Sequence, residues 1–480
     1  MAKKKLKSDG IYFAGEAAND VTGSQYLVKF GDKQILLECG LHQSQSNSYL
    51  DSYKINSRKF HFSPATIDYV FVCHTHIDHC GLLPRLVKEG FHGEIIATSE
   101  TAALMKPLLL NSCYIVNEEA RILSKRYKRQ YKPLYSEEDV YRTLSLIRTY
   151  DTHHLVYRLD NTVSFQWYDN SHCLGASQLQ LILKNETKTK KILYTSDIGA
   201  LHTNNHYVSN TEIPKSFSDV TIMESTYGSS KRENKRTRQR DLEHLHVAVD
   251  TVLGRGGSVI MPAFSFSRTQ ELLTALYLIY GKDTNFNHQI VVDSKLTFEI
   301  SKLYVEILND DYFDDWSRVW LWRNVRFISE KEASQASLLD DSPRIIISSS
   351  GFCTNGRIVS YLKKYLRDPK SMVIFSGFAG DSPSYLSYRI KNYRDHKSVS
   401  INKEKVPNRA DCIVLSTFSS HASHSDLVKY GSSLDTNKLI LVHGSEESKK
   451  CLSDALNEAI CKNDKSYRVI ISHRDMIVNL

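Results

Sequence analysis

The sequence predicts an α/β protein in which one lobe interrupts another. Three observations carry that expectation. Short apolar, β-rich runs alternate with helix-patterned segments through most of the 480 residues. Polar or chemistry-bearing residues follow nearly every run, at the strand ends where ligands gather in sheets of this kind. Histidines that could hold metal occur early and late, while the stretch from about 229 to 408 has few metal-ligand candidates.

In chain order, the runs 34–40, 67–73, 94–99, 191–197 and 220–225 read as buried strands of the first lobe. Runs 258–264, 344–350 and 371–377 fall in the middle, with 412–418 and 438–444 towards the end. Across 236–253, Leu242, Leu245, Val249 and Val252 recur at helical spacing before "GRGG" stops the helix. Segments 268–280 and 356–366 carry similar stripes. No internal repeat, low-complexity tract or long flexible linker interrupts the pattern. If the late histidines join the early ones, the chain leaves one domain, builds a second and returns. The expected domains are 1–228 and 409–480 for the first, and 229–408 for the insertion.

Composition excludes several classes. Apolar residues make up 41% and charged residues 24%, as in soluble globular proteins. No run approaches the ~20 apolar residues of a membrane span. "MAKKKLKSDGIYF" turns polar where a signal peptide needs its apolar region, so a cytoplasmic chain is expected. The nine cysteines are odd in number and form no CxxC, which fits reduced thiols rather than a disulfide framework or a thiolate zinc site. The net charge of +8 is unevenly spread: the runs 121–132 and 231–240 each carry six Lys or Arg. Such runs are either solvated helix faces or the walls of a polyanion groove.

The chemistry starts at "FVCHTHIDHCGLLP" (71–84). His74 and His76 leave a strand two residues apart, so both can face one cation. Asp78 and His79, past the bend, can face a second. Neutral imidazole and carboxylate suit zinc or a similar cation. His172 in "NSHCLGASQL" and Asp197 in "LYTSDIG" are further ligand candidates.

Together these residues resemble the metallo-β-lactamase superfamily. "MESTYG" (223–228), "STFSSHASHSDL" (416–427) and "LVHG" (441–444) resemble motifs of its β-CASP branch, as do "PAFSFSRTQELL" and "SSSGFCTNGR" in the middle. The resemblance spans essentially the whole chain and is closest to the mRNA 3′-end cleavage type. It implies a four-layer αββα metallo-β-lactamase domain with an inserted α/β β-CASP domain. It also implies two Zn²⁺ per chain: one held by His74, His76 and His172, the other by Asp78, His79 and His443, with Asp197 bridging. His421 and Glu224 are then a catalytic pair, and Asp78 counts in the catalytic set as well. Two departures stand out. Glu38 occupies a position where members usually carry Asp, and Ser423 stands where an acidic residue is expected. His424 is consequently a rival proton donor.

Two cations ~3.5–4 Å apart lower the pKa of a shared water towards ~7, giving a hydroxide that can attack a phosphodiester. His421 would protonate the leaving O3′. Ser265, Ser267 and Arg268 at a strand-to-helix junction, with Ser349, Gly351 and Gly356, suit phosphate binding; helix capping is the alternative use of the serines. The expected activity is a zinc-dependent ribonuclease acting on single-stranded RNA, in processing or decay. His443 favours RNA, because DNA-repair members usually carry Val there. A lactamase-type small-molecule hydrolase, a DNA hydrolase and a non-catalytic RNA-binding subunit are the alternatives. No membrane partner is expected, and a homodimer is left open.

Overall fold

The structure, a computed structural model, describes residues 8–43, 49–151, 155–203, 205, 207–229, 238–308, 314–353, 355–377, 379–380, 383–463 and 465–480. Most of the basic run 231–240 therefore lies outside the described residues. The chain forms two compact units. One comprises 1–203, 208–233 and 421–480, the other 204–207 and 234–420.

The first unit holds two seven-stranded sheets. One begins with the C-terminal strand Ile477–Asn479 beside Gly10–Phe13 and continues through Tyr26–Phe30, Lys33–Leu37, Tyr69–Phe71, Glu94–Ala97 and Ile147–Thr149. The other runs from Arg468–Ile471 through Lys438–Val442, Val220–Glu224, Thr189–Tyr194, Ser177–Lys184 and Val163–Asp169 to Tyr157–Arg158. Strand periodicity sorts the side chains into layers. Phe71 and Ile96 meet Phe165, Trp167 and Ile222 in a core between the sheets. Their neighbours Val70 and Ile95 point the other way, onto Leu83, Leu86, Met105 and Leu109 of the helices covering the first sheet. Met223 and Leu441 do the same for the second sheet, against Leu427, Tyr430, Leu452 and Leu456. The result is the helix–sheet–sheet–helix order.

In the second unit a six-stranded, all-parallel sheet runs Val325–Ile328, Ile290–Asp293, Ile345–Ser348, Val259–Pro262, Met372–Ser376, Asp411–Leu415. Helix Ile358–Tyr365 buries Ile358, Val359, Tyr361 and Leu362 against one of its faces. The return to the first unit comes at 420/421, later than the expected 408/409. The reason is strand Asp411–Leu415, which pairs with Met372–Ser376 and so belongs to the insertion's sheet. No helix among the described residues is long and apolar enough to cross a membrane.

Candidate metal centre

Strands Lys33–Leu37 and Tyr69–Phe71 run parallel, as do Thr189–Tyr194, Val220–Glu224 and Lys438–Val442. Their C-terminal ends deliver Glu38, the 74–79 loop, Ser196 and Asp197, Glu224, and His443. The turn between the antiparallel strands Val163–Asp169 and Ser177–Lys184 adds His172. Glu38, Ser196 and His443 sit in the left-handed backbone region, at φ of 61°, 52° and 51°. Non-glycine residues rarely adopt it, and it costs about 1–3 kcal/mol each. It turns each side chain sharply out of its strand. The 77–79 segment is fixed by main-chain bonds from Cys39 and Leu41 to the carbonyls of His79 and Ile77. Gly40 permits this approach, since a Cβ there would lie 1.6 Å from the Asp78 carbonyl oxygen.

His74 Nε2 and His172 Nε2 each lie 3.1 Å from His76 Nδ1. Asp197 Oδ2 is 3.8 Å from the first and 3.7 Å from the second. Beside them, His443 Nε2 is 3.4 Å from both His79 Nε2 and Asp78 Oδ2. The other Asp197 oxygen, Oδ1, is 3.3 Å from His79 Nε2. One carboxylate thus faces both groups, one oxygen to each.

The donor set fits two divalent cations. Ligand atoms arranged tetrahedrally at ~2.0–2.1 Å from a zinc-sized ion stand ~3.3 Å apart, the spacing these nitrogens adopt. Buried Asp197 Oδ1 makes no hydrogen bond within the protein. Burial holds His74 and His172 well below the usual imidazole pKa and lowers His76 to about 4, so all three offer lone pairs. His79 goes the other way. Burial opposes its charge, but Asp197, Asp78 and Glu38 outweigh that and hold it well above the usual value. Without a cation, a proton on His79 offsets the carboxylates.

The second ring nitrogens of these residues are held as well. His74 Nδ1 is 3.1 Å from Ser196 Oγ, whose hydroxyl donates to Glu38 Oε1 at 3.1 Å. Glu38 Oε1 also accepts from Cys73 N and lies 3.6 Å from His79 Nδ1. His443 Nδ1, itself 3.2 Å from Asp197 Oδ1, donates to the Thr226 hydroxyl at 3.0 Å, and that hydroxyl donates to the His443 carbonyl. Asn170 Oδ1 accepts from His172 N and Gly199 N, while its Nδ2 donates to the Asp197 carbonyl at 2.6 Å.

Next to the ligands, His421 Nδ1 meets Glu224 Oε1 at 3.0 Å, and His421 Nε2 lies 4.0 Å from Asp197 Oδ2. Glu224 is fixed by main-chain donors, Ile198 N at 2.6 Å and Thr226 N at 3.0 Å. Burial disfavours the His421 charge, but Glu224, with help from Asp197 and Tyr227, lifts it to about 10. The arrangement is a candidate cation centre with an imidazole of raised pKa at its rim.

Three sequence profiles match the chain: the metallo-beta-lactamase superfamily over 18–112, the Beta-Casp domain over 269–382, and the Zn-dependent metallo-hydrolase RNA specificity domain over 405–469. The chain belongs to the metallo-β-lactamase superfamily, in its β-CASP branch. Ribonuclease TTHA0252 of Thermus thermophilus is 27% identical over 450 residues, spanning 92% of this chain and 94% of its own length. Endoribonuclease YSH1 of Candida glabrata is 25% identical over 469 residues, 95% of this chain but 57% of its own length, so the chain spans little more than half of that relative. Integrator complex subunit 11 of Danio rerio is 26% identical over 463 residues, covering 92% of this chain and 70% of itself. A crystal structure of an Enterococcus faecalis V583 protein of unknown function shares the fold, with a TM-score of 0.55, 14% identity, and coverage of 98% of this chain and 100% of the other.

Membership in the metallo-β-lactamase superfamily implies divalent-metal binding, and the structure brings together all nine residues named for the ligand set and its catalytic pair. The departure from the β-CASP pattern at Glu38 is accommodated locally: the carboxylate holds Cys73, Ser196 and His79 rather than entering the cluster around Asp197. His424 is turned away, its Nδ1–H donating to the Gly228 carbonyl at 2.8 Å.

The proposed phosphate ligands divide. Ser265 and Ser349 converge on the hydroxyl of Ser294, each at 3.3 Å. Ser294 in turn caps the helix Lys295–Ile307. Ser267 lies 3.5 Å from the Ser420 hydroxyl and makes no capping bond to the helix it precedes. Arg268 is paired with Glu271 at 3.2 Å. Gly351 packs on the Phe264 ring, and Gly356 takes a φ of 78°.

Asn170, Ser196 and Thr226 were not foreseen as site residues. Their only sequence signal is adjacency, each standing within two positions of a residue already named.

Proposed function

We propose that this chain is a metal-dependent ribonuclease, with two Zn²⁺ per chain and single-stranded RNA as substrate. The observation that carries the reading is one buried carboxylate, Asp197, shared between two imidazole-rich groups with the His421–Glu224 pair alongside. His74, His76 and His172 would hold one cation and Asp78, His79 and His443 the other. Bound there, the cations would supply an acidified water and positive charge against the phosphoryl oxygens. His421 keeps its Nδ1–H on Glu224, which leaves Nε2–H to protonate the departing O3′. Glu224 fixes the tautomer and stabilises the imidazolium before transfer. Ser196, Thr226 and Asn170 keep the ligand rings and Asp197 aimed, as outer partners of metal ligands do.

The printed names of the relatives, ribonuclease and endoribonuclease, support RNA and internal cleavage. The matched RNA specificity profile points the same way. Internally labelled and 5′-labelled RNA should both yield internal fragments, cutting should stop with chelator and resume with zinc, and metal analysis should give two equivalents. Cutting that persists after complete chelation, or turnover of esters with RNA untouched, overturns the reading.

A further inference from the structure

The basic run 121–132 takes no part in the centre described above. It closes the 29-residue helix Ser99–Tyr127 and the turn that follows it. Lys125, Arg126, Lys128, Arg129 and Lys132 are all exposed, and among the described residues none is paired with a carboxylate. Exposed Tyr127 and part-buried Tyr131 are interleaved with them. The tyrosine rings lie 6.2 Å apart, with the Arg126 guanidinium 5.6 Å from the first ring and the Arg129 guanidinium 5.9 Å from the second.

This surface is built rather than loose. Lys128 ends the helix in the left-handed conformation and turns the chain back, so that Tyr131 N donates to Ser124 Oγ at 2.9 Å. Tyr53 packs edge-on against Tyr131 at 5.1 Å, and its hydroxyl donates to the Lys132 carbonyl at 2.9 Å. The far end of the same helix touches the metal centre's own loop: the Thr98 and Thr101 hydroxyls donate to the carbonyl of Gly175, three residues after His172. One helix therefore links the loop that carries a proposed metal ligand to the basic, aromatic surface.

We propose that the Lys125–Lys132 surface is a second binding site for single-stranded RNA, remote from the point of cleavage. Cations without partners take phosphates, and the tyrosine rings give unpaired bases a face to stack on. A purely electrostatic partner, such as an anionic lipid surface or an acidic protein, would make no use of the rings. The helix spans at most about 44 Å at 1.5 Å per residue. At ~3.4 Å per stacked nucleotide that is on the order of a dozen nucleotides, so only longer RNAs reach both places. The choice of RNA rests on the ribonuclease reading; the surface itself does not.

The test uses the zinc-loaded protein and a variant carrying Lys125→Gln, Arg126→Gln and Arg129→Gln, all at exposed positions. Substrates are single-stranded RNAs of about 8 and about 30 nucleotides, followed by cleavage kinetics and by fluorescence anisotropy across salt. In the variant, KM and Kd for the long RNA should rise roughly tenfold and the salt slope should fall by about 2–3, while the short RNA is handled as before. Tyr127→Ala with Tyr131→Ala should weaken the long RNA but leave inorganic polyphosphate binding unchanged. Equal long-RNA affinity in parent and charge variant overturns the proposal. So does a tyrosine variant that binds long RNA normally, or a charge variant whose loss appears only on vesicles of anionic lipid. If the short RNA is never cut, the ribonuclease reading fails instead, and the anisotropy of the long RNA still decides the surface.

Discussion

His421 draws its chemistry from Glu224 rather than from its own ring. A carboxylate clamped by two main-chain N–H groups cannot swing away, and its charge raises the pKa of the imidazole beside it against the effect of burial. Cations bound nearby would lower that value, yet the sign of the Glu224 contribution is fixed: it raises the pKa. A general acid works below its pKa, so activity should fall as pH rises through it. In Glu224→Gln the alkaline limb of the pH–rate profile should therefore move to lower pH. His421→Ala should retain both metals and lose roughly 10²–10⁴-fold in turnover. A limb that stays in place, or a histidine variant that sheds a cation, contradicts these roles. The amide and hydroxyl partners were harder to read in the sequence than the imidazoles. Asn170, Ser196 and Thr226 belong to residue types that cap and turn everywhere, and only the fold makes one of them a ring holder.

At the scale of elements, the ten apolar runs coincide with ten observed strands, because a buried strand excludes polar residues along its length. The strands Val163–Asp169 and Ser177–Lys184 were less legible, since "VSFQWYD" and "SQLQLILK" mix polar residues into the apolar pattern. Left-handed φ at Glu38 or His443 leaves no trace in residue type, so the aim of those side chains could not be foreseen. The junction before helix Arg268–Tyr280 carries its own lesson. Arg268 reads as a phosphate ligand in isolation, but Glu271 is buried between Arg268 and Arg238, at 3.2 and 2.9 Å. Arg268→Ala should cost the insertion roughly 1–3 kcal/mol by stripping one partner from a buried carboxylate. It should also lower the RNA salt slope by less than the ~0.7 expected of a full phosphate contact on a single strand. Denaturant melts alongside binding at two ionic strengths check both halves, and a slope change of the full ~0.7 at unaltered stability would refute it.

For the whole molecule, the ligand cluster fastens segments from both seven-stranded sheets. A cation that binds only the folded state stabilises by RT ln(1 + [L]/Kd), about 4 kcal/mol at a thousandfold excess over Kd. Chelation should therefore lower the melting temperature of the unit containing His74 by several degrees, reversibly on adding zinc, with calorimetry as the readout. Identical melts with and without chelator would mean that the cluster does not fasten these segments through metal. The insertion itself was legible from the early and late histidines. Its far boundary was not, because pairing partners decide which sheet owns Asp411–Leu415, and "CIVLSTF" looks the same in either.

The return of the chain also sets a timetable. Translation proceeds from the N-terminus at ~5–20 residues per second, so the interval from Asp197 to His443 takes roughly 12–50 s. Throughout it the nascent polypeptide carries five early imidazole and carboxylate candidates for the cations, near residue 74 and residue 172, with Asp197 made but no His443. Until His421 leaves the ribosome it also lacks the proposed acid. A hydrolase built this way is inert beside its own message while the insertion is being made, and it is armed only once His443 has been added.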